Sequence, residues 1–401
     1  MAGSIPNTFI DDLLTRVDIV DIIDSRVPLK KAGKDYKACC PFHSEKTPSF
    51  TVSRQKQFYY CFGCGASGSA IRFLMDYDRF DFVEAVQELA KTAGLEVPFE
   101  GGRPQARAAS VSNDLYELME QVSQYYISQL RVNPEKDLAV SYLKNRGISG
   151  ETAKQFELGY APSGWNNLAQ AFANDSQAKN KLVKTGMLIS KENGQSYDRF
   201  RERIMFPIRD KRGRVIAFGG RIISEGTPKY LNSPETDIFH KGYELYGLHH
   251  VLKQPGEVKS ILVVEGYMDV VSLANKVVNN AVATLGTAIS QNHVQLLVKY
   301  TREIIYCFDG DSAGRKAAWR ALEVSLPSLK DGLQFKFMFL PEGEDPDSMV
   351  SKLGAQGFRE LEAQAKPLSD FMVDYLLEKS DYRSIDGQAR LIELAKPLMS
   401  Q

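Results

Sequence analysis

The sequence predicts a multi-domain α/β protein: a small N-terminal unit, a mixed α+β basic subdomain, a parallel α/β sheet and a helical C-terminal segment. Three observations carry this. From 261 to 340, short apolar runs alternate with helical periods, as in βαβ crossovers on a parallel sheet. Near the N-terminus, Cys40/His43 and Cys61/Cys64 form two x2-spaced pairs with 17 residues between them. From Arg199 to Arg221 there are eight Lys/Arg against Glu202 and Asp210, in short β-like runs.

A chain of 401 residues suits two or three domains with sizeable cores. The net charge is zero, from 50 basic and 50 acidic residues, so the basic segment is a local feature. No apolar run approaches ~18 residues, the length that spans a bilayer, and no signal-peptide pattern opens the chain. No membrane partner is therefore expected. The cysteines are Cys39, Cys40, Cys61, Cys64 and Cys307. An odd, clustered set without a secretion signal points to a reducing, cytoplasmic compartment and to metal rather than disulfides.

Residues 1–100 read as one unit, opening with a helical pattern from Ile10 to Ile23 and closing with another from Phe82 to Ala90. Three sulfurs and one imidazole make a soft tetrahedral site for one structural zinc ion, since four protein ligands leave no open position. Cys39 breaks the x2 spacing to His43 and is expected to pack nearby. Lys30, Lys31, Lys34, Lys37, Lys46, Arg54 and Lys56 are interleaved with Phe50, Phe58, Tyr59, Tyr60 and Phe62. Cations that track a backbone and aromatics that stack on bases suit single-stranded nucleic acid, with part of the aromatic set expected in the core. The polar, Gly/Pro-punctuated stretch 101–111 reads as a linker.

Residues 112–255 begin with helical periods to about 145. Short runs follow at 203–206, 215–218 and 221–223, and Asp210-Lys211-Arg212-Gly213 suggests a hairpin turn. Beyond lies the loop Lys229-Tyr230-Leu231-Asn232-Ser233-Pro234, then Lys241. Arg and Lys here could neutralise a triphosphate or a template backbone.

In 256–347, strands are expected at 261–264, 281–285, 304–308 and 335–340. The first ends in Glu265-Gly266-Tyr267-Met268-Asp269, the third in Asp309-Gly310-Asp311, and the last is followed by Glu344-Asp345-Pro346-Asp347. Ligands bind beyond the carboxyl ends of such strands, and about six carboxylates on one rim call for a hard divalent cation. Mg2+ held there could clamp a nucleoside triphosphate and bring a sugar hydroxyl in line with its α-phosphorus. Glu265 could take the hydroxyl proton or could itself be a ligand. Residues 348–401 read as helices and stop within a helical pattern, so the natural protein is expected to be longer.

These motifs resemble bacterial replicative DNA primase of the DnaG type, in that family's order and over essentially the whole chain. They are Cys-Pro-Phe-His…Cys-Phe-Gly-Cys-Gly, Lys-Tyr-Leu-Asn-Ser and Val-Glu-Gly-Tyr-Met-Asp…Phe-Asp-Gly-Asp-Ser-Ala-Gly. The resemblance implies a zinc ribbon, then an RNA polymerase domain with a Toprim sheet, making RNA primers on single-stranded DNA from ribonucleoside triphosphates at the replication fork in the nucleoid. Cys40, His43, Cys61 and Cys64 would bind zinc. Glu265, Asp309 and Asp311 would be catalytic, with Asp269, Asp345 and Asp347 as further contacts to two or more Mg2+ or Mn2+ ions. Arg146, Arg199, Arg201, Arg221, Lys229, Tyr230, Asn232 and Lys241 would line the template and nucleotide path. The family continues into a helicase-binding domain; the replicative helicase is the expected partner of the full-length protein, and this chain is expected to end before that domain. A topoisomerase would need a tyrosine nucleophile on a large separate domain, and a recombination mediator would be much shorter. A primase–helicase fusion would need a Gly-x4-Gly-Lys-Ser/Thr loop, which is absent.

Overall fold

The computed structural model describes residues 5–78, 80, 82–98, 106–175, 177–191 and 194–399. The chain divides into two compact units, Met1–Val111 with Gln254–Glu257, and Ser112–Lys253 with Val258–Gln401. In the first, α1 (Asn7–Arg16) and α2 (Ile19–Asp24) precede β1 (Lys30–Ala32), β2 (Asp35–Ala38), β3 (Phe50–Ser53), β4 (Phe58–Cys61) and β5 (Ser67–Gly68). Then come α3 (Ala70–Tyr77) and α4 (Phe82–Thr92). The expected single helix across 10–23 is two, because the Asp18 carboxylate accepts the Val20 N–H and starts α2 anew. The five strands form an antiparallel meander in sequence order. Phe50, Val52 and Tyr59 face a core shared with Leu13, Phe73 and Leu89.

The second unit starts within α5 (Ala106–Val132), at Ser112, and continues through α6 (Lys136–Asn145), α7 (Gly150–Gln155), β6 (Gly159–Ala161), α8 (Asn167–Ala171), α9 (Ala178–Lys184), β7 (Leu188–Ser190) and β8 (Ser196–Asp198). Of the expected linker 101–111, residues 101–105 lie outside the described residues. Residues 106–111 form the first turns of α5, where an Ala-rich run favours helix. β9 (Arg203–Arg209), β10 (Val215–Ile222) and β11 (Tyr230–Asn232) complete an antiparallel sheet of order β11-β10-β9-β6. The hairpin turn is held by the Asp210 carboxylate, which accepts the Arg212 and Arg214 N–H groups at 3.0 Å each, and by Gly213 at φ +86. The runs at 215–218 and 221–223 are one strand joined through Gly219-Gly220. A methyl at 219 would stand 2.6 Å from the Tyr267 ring and one at 220 would stand 2.7 Å from Phe200.

α10 (Leu248–Lys253) leads into β12 (Ile261–Val264), α11 (Tyr267–Asn275), β13 (Ala281–Ala283), α12 (Gln291–Leu297), β14 (Glu303–Phe308), α13 (Ser312–Ser325), β15 (Gln334–Phe339), α14 (Pro346–Ala363), β16 (Lys366–Pro367), α15 (Leu368–Lys379) and α16 (Ile385–Met399). The sheet order is β13-β12-β14-β15-β16, parallel apart from the β16 edge. Leu262, Val264, Ile305 and Cys307 fill one face, and Ile261, Val263, Ile304 and Tyr306 the other. The first of these cores also contains Ile204, Phe206 and Tyr246, so the basic subdomain and the parallel sheet are packed as one body.

Candidate active site and metal centre

In the strand order, β12 lies between β13 and β14, so the crossover reverses direction at the β12/β14 pair. Such a switch point opens a crevice at the carboxyl ends of the strands. Val263 pairs with Tyr306, a register that brings Glu265 level with Phe308, so Glu265 and Asp309 leave the same edge of neighbouring strands one residue apart. Helices α11, α13 and α14 begin at the same rim, each with a carboxylate at its first turn. Asp269 accepts the Gly266 N–H at 3.0 Å, Asp311 the Gly314 N–H at 2.7 Å and Asp345 the Ser348 N–H at 2.7 Å. The positive ends of three helix dipoles thus offset part of the negative charge. Asp347 faces Arg146, at 3.5 Å.

The charge is not fully offset. Burial, then Asp345, Asp347 and Asp309, push the Asp269 carboxyl up to about 7 against the Gly266 N–H bond. Burial, then Asp309 and Asp311, raise Glu265, and burial, then Asp311 and Asp345, raise Asp309. These interactions link the six acids into one connected cluster of like charge. Among the described residues, Glu265 and Asp309 take no hydrogen bond or ion pair from a protein side chain or N–H. They are the two left to face a ligand, and hard carboxylate oxygens suit a divalent cation.

Asp269 makes stability depend on pH. An unfolded aspartate titrates near about 4, so the raised folded value contributes stability below that pH which is lost as pH rises through about 7. Asp269→Asn should therefore melt higher than the parent at pH ~8 in metal-free buffer and no higher at pH ~4. About 2–4 °C is expected per kcal/mol of relieved repulsion, and saturating Mg2+ should erase the gap. Calorimetric scans at the two pH values check this.

Gly310 and Gly314 are needed for close approach. A methyl at 314 would strike the Asp309 carbonyl, and one at 310 the Leu340 carbonyl. Gly314→Ala should cost ~2–4 kcal/mol by displacing the turn that carries Asp309, measured by urea unfolding.

The predicted cations divide. Arg221 is buried between the Tyr142 and Tyr230 rings, 5.3 and 5.1 Å from their centres, and its Nε has no partner. Arg146 lies 5.9 Å from the same Tyr142 ring, so Arg146, Arg221 and Tyr230 meet at the Asp347 end of the rim. The Asn232 amide donates to the Leu285 carbonyl at 2.9 Å and accepts the Tyr267 hydroxyl, which ties β11 to the rim. Lys229 is exposed, and the Lys241 N–H bonds Glu235. Arg199 donates Nε to the Gly186 carbonyl at 2.6 Å, and Arg201 lies 4.0 Å over the exposed Trp165 ring. Three further arginines of the basic segment are structural. Arg203 holds the Gly220 and Pro228 carbonyls, Arg209 pairs with Glu120 and Glu157, and Arg214 pairs with Asp210. Tyr142, Tyr267 and Trp165 were missed by sequence reasoning. Only their contacts across the fold mark them, and no local spacing does.

In the first unit, Cys40 and His43 follow β2, Cys61 ends β4 and Cys64 lies in the next turn. Their ligand atoms all lie within 4.8 Å of one another. Two sulfurs bound at ~2.3 Å to one tetrahedral ion stand about 3.8 Å apart, and Cys40 Sγ to Cys64 Sγ is 3.8 Å. His43 turns Nδ1 to Cys61 Sγ at 3.7 Å and Nε2 to the Glu45 carboxylate at 3.3 Å, the outer partner that orients a metal-bound imidazole. Glu45 also accepts the Cys40 and Ser49 N–H groups; the Ser49 hydroxyl first, then these bonds, hold it below the usual carboxylate range. The four residues fit zinc. Cys39 is exposed and outside the set, contrary to the expected packing. Across the sheet, Lys30 pairs with Lys37, Lys37 with Thr51 and Thr51 with Tyr60, so these side chains share the face opposite Phe50 and Tyr59. Phe58, Tyr60 and Phe62 are exposed.

Comparison with known proteins agrees with this architecture. Family models described as CHC2 zinc finger, DNA primase catalytic core N-terminal domain, and Toprim-like match residues 5–105, 125–252 and 262–350. A fourth, the DnaB-helicase binding domain of primase, matches 369–401. That match corrects the expectation that the chain ends before any helicase-binding segment; it takes in α15 from its second residue and all of α16. An Escherichia coli DNA primase is 55% identical over 402 residues, covering 100% of this chain and 69% of that protein. A Pseudomonas putida DNA primase is 54% identical, and the chain spans 61% of its length. A solved DnaG primase catalytic domain bound to ssDNA matches with a TM-score of 0.69 at 51% identity, over 73% of this chain and 94% of that one. The Aquifex aeolicus primase zinc-binding and RNA polymerase domains match over 97% and 92%, with a TM-score of 0.60 at 35% identity.

Proposed function

The chain belongs to the bacterial DNA primase family of the DnaG type, and on that premise we propose that it copies single-stranded DNA into short RNA primers from ribonucleoside triphosphates. The observation that carries this is the gathering of Glu265, Asp309 and Asp311 on one strand-end rim that meets Arg146 and Arg221. With Asp269, Asp345 and Asp347 they would hold two or more Mg2+ or Mn2+ ions. Such ions, when bound, neutralise a triphosphate and favour an ionised sugar hydroxyl. Glu265 accepts the proton of that hydroxyl or serves as a ligand. The hydroxyl oxygen bonds the α-phosphorus and pyrophosphate leaves. Arg146, Arg221, Lys229 and Lys241 neutralise the nucleotide phosphates, and guanidinium does so through two parallel hydrogen bonds. Tyr230 and Asn232 line the nucleotide path, and Arg199 and Arg201, with Trp165, the template path.

One structural zinc ion holds the first unit, whose exposed Tyr60 and Phe62 beside Lys37 support single-strand binding by stacking and charge. The match at 369–401 supports the replicative helicase as a partner, and the proposed place of action is the cytoplasm, at the nucleoid's replication fork. Incubating the chain with a single-stranded template, Mg2+ and labelled ribonucleotides should give short, alkali-labile products. Nicking or relaxation of plasmid without nucleotides would point to a phosphodiester-breaking Toprim enzyme instead.

A further inference from the structure

Helices α5, α6 and α7, with the residues that flank α7, line an open-mouthed cavity of about 480 Å3 that shares no residue with the acidic rim or the cations facing it. Its size lies in the range of small-molecule sites. Leu130, Leu143 and Leu158 are among its apolar walls, and Arg131, Lys144 and Lys154 stand at its edge. None of those three cations has a carboxylate partner among the described residues. Glu157, the one acid in the lining, is already taken by Arg209. The cavity is therefore apolar inside and uncompensated positive at its mouth. An apolar lining draws an apolar body, and unpaired cations beside a low-dielectric surface favour an anionic head.

We propose that this cavity binds a small amphipathic anion, an aryl or acyl body carrying one carboxylate, sulfonate or phosphate, with the body against Leu130 and Leu143 and the head at Lys144 and Lys154. The α6–α7 corner that forms one wall is held firmly: the Asn275 side chain donates to the Gly147 carbonyl at 3.0 Å and accepts the Ser149 N–H at 3.0 Å and the Thr152 hydroxyl at 2.8 Å. The site is thus built before any ligand arrives.

Fluorescence titration of the full chain with anilinonaphthalene sulfonate, and with its uncharged relative N-phenylnaphthylamine, tests this. One saturable sulfonate site per chain is expected, at least about tenfold tighter than the neutral probe. Leu130→Trp, which fills the cavity, should abolish that site, and Lys144→Glu with Lys154→Glu should weaken the sulfonate at least about tenfold while sparing the neutral probe. Melting temperatures of the variants show whether each is folded, and the charge reversals keep the test open where the tryptophan variant does not fold. Equal affinity for both probes, or sulfonate binding unchanged in the folded variants, would overturn the proposal.

Discussion

Asp309→Ala is expected to lower primer synthesis by about a thousandfold or more, the scale of removing a principal electrostatic stabiliser, while the fold persists. Asp309 takes no hydrogen bond among the described residues, and burial, Asp311 and Asp345 already raise its carboxyl. Deleting it relieves repulsion and removes no support, so the melting temperature in metal-free buffer should hold or rise. Glu265→Gln should behave alike. Asp311→Ala should lose activity and also some stability, because its side chain caps α13 through the Gly314 N–H. Primer yield and thermal melting on the same samples separate the two effects. Full activity in Asp309→Ala would sink the assignment.

The second large effect is loss of zinc. Structural zinc contributes ~10–16 kcal/mol in isolated finger peptides. The first unit has a core of its own, so a fraction of that is expected here. Cys61→Ala, or chelation, should open the loops that carry Cys40, His43 and Cys64. Limited proteolysis read by mass spectrometry should then show new cleavage within 39–65, with the segment 258–399 as resistant as before. The parent should carry one zinc ion per chain and the variant none. An unchanged digestion pattern in a zinc-free sample would show that the site does not hold the fold.

Much of the rim was legible because each of its acids follows an apolar run or opens a helix. Buried parallel strands read as continuous apolar segments, and the residue after such a run must lie at the carboxyl edge. The zinc ligands were legible for a similar local reason, since x2 spacing is a property of one turn. Arg221 and Arg203 show the limit. Both are buried arginines of the same basic segment, yet one holds the Gly220 and Pro228 carbonyls and the other keeps an unpartnered Nε between two tyrosines. Counting charges cannot separate them, because the difference lies in what β10, β11 and α6 bring near each. Tyr142 was missed for the same reason. The join of β10 through Gly219-Gly220 was missed because paired glycines usually mark a turn. Here they make room for the rings of Tyr267 and Phe200.

The central claim, that strand-end carboxylates hold catalytic divalent cations, is tested most directly by Mn2+ binding to the zinc-loaded chain, followed by electron paramagnetic resonance. Two or more bound Mn2+ ions displaceable by Mg2+ are expected at pH ~8, with affinity falling as pH drops below about 7 and Asp269 takes its proton. Binding should be lost or greatly weakened in Glu265→Gln and Asp309→Asn. Mn2+ binding of undiminished affinity and number in both variants would contradict the account.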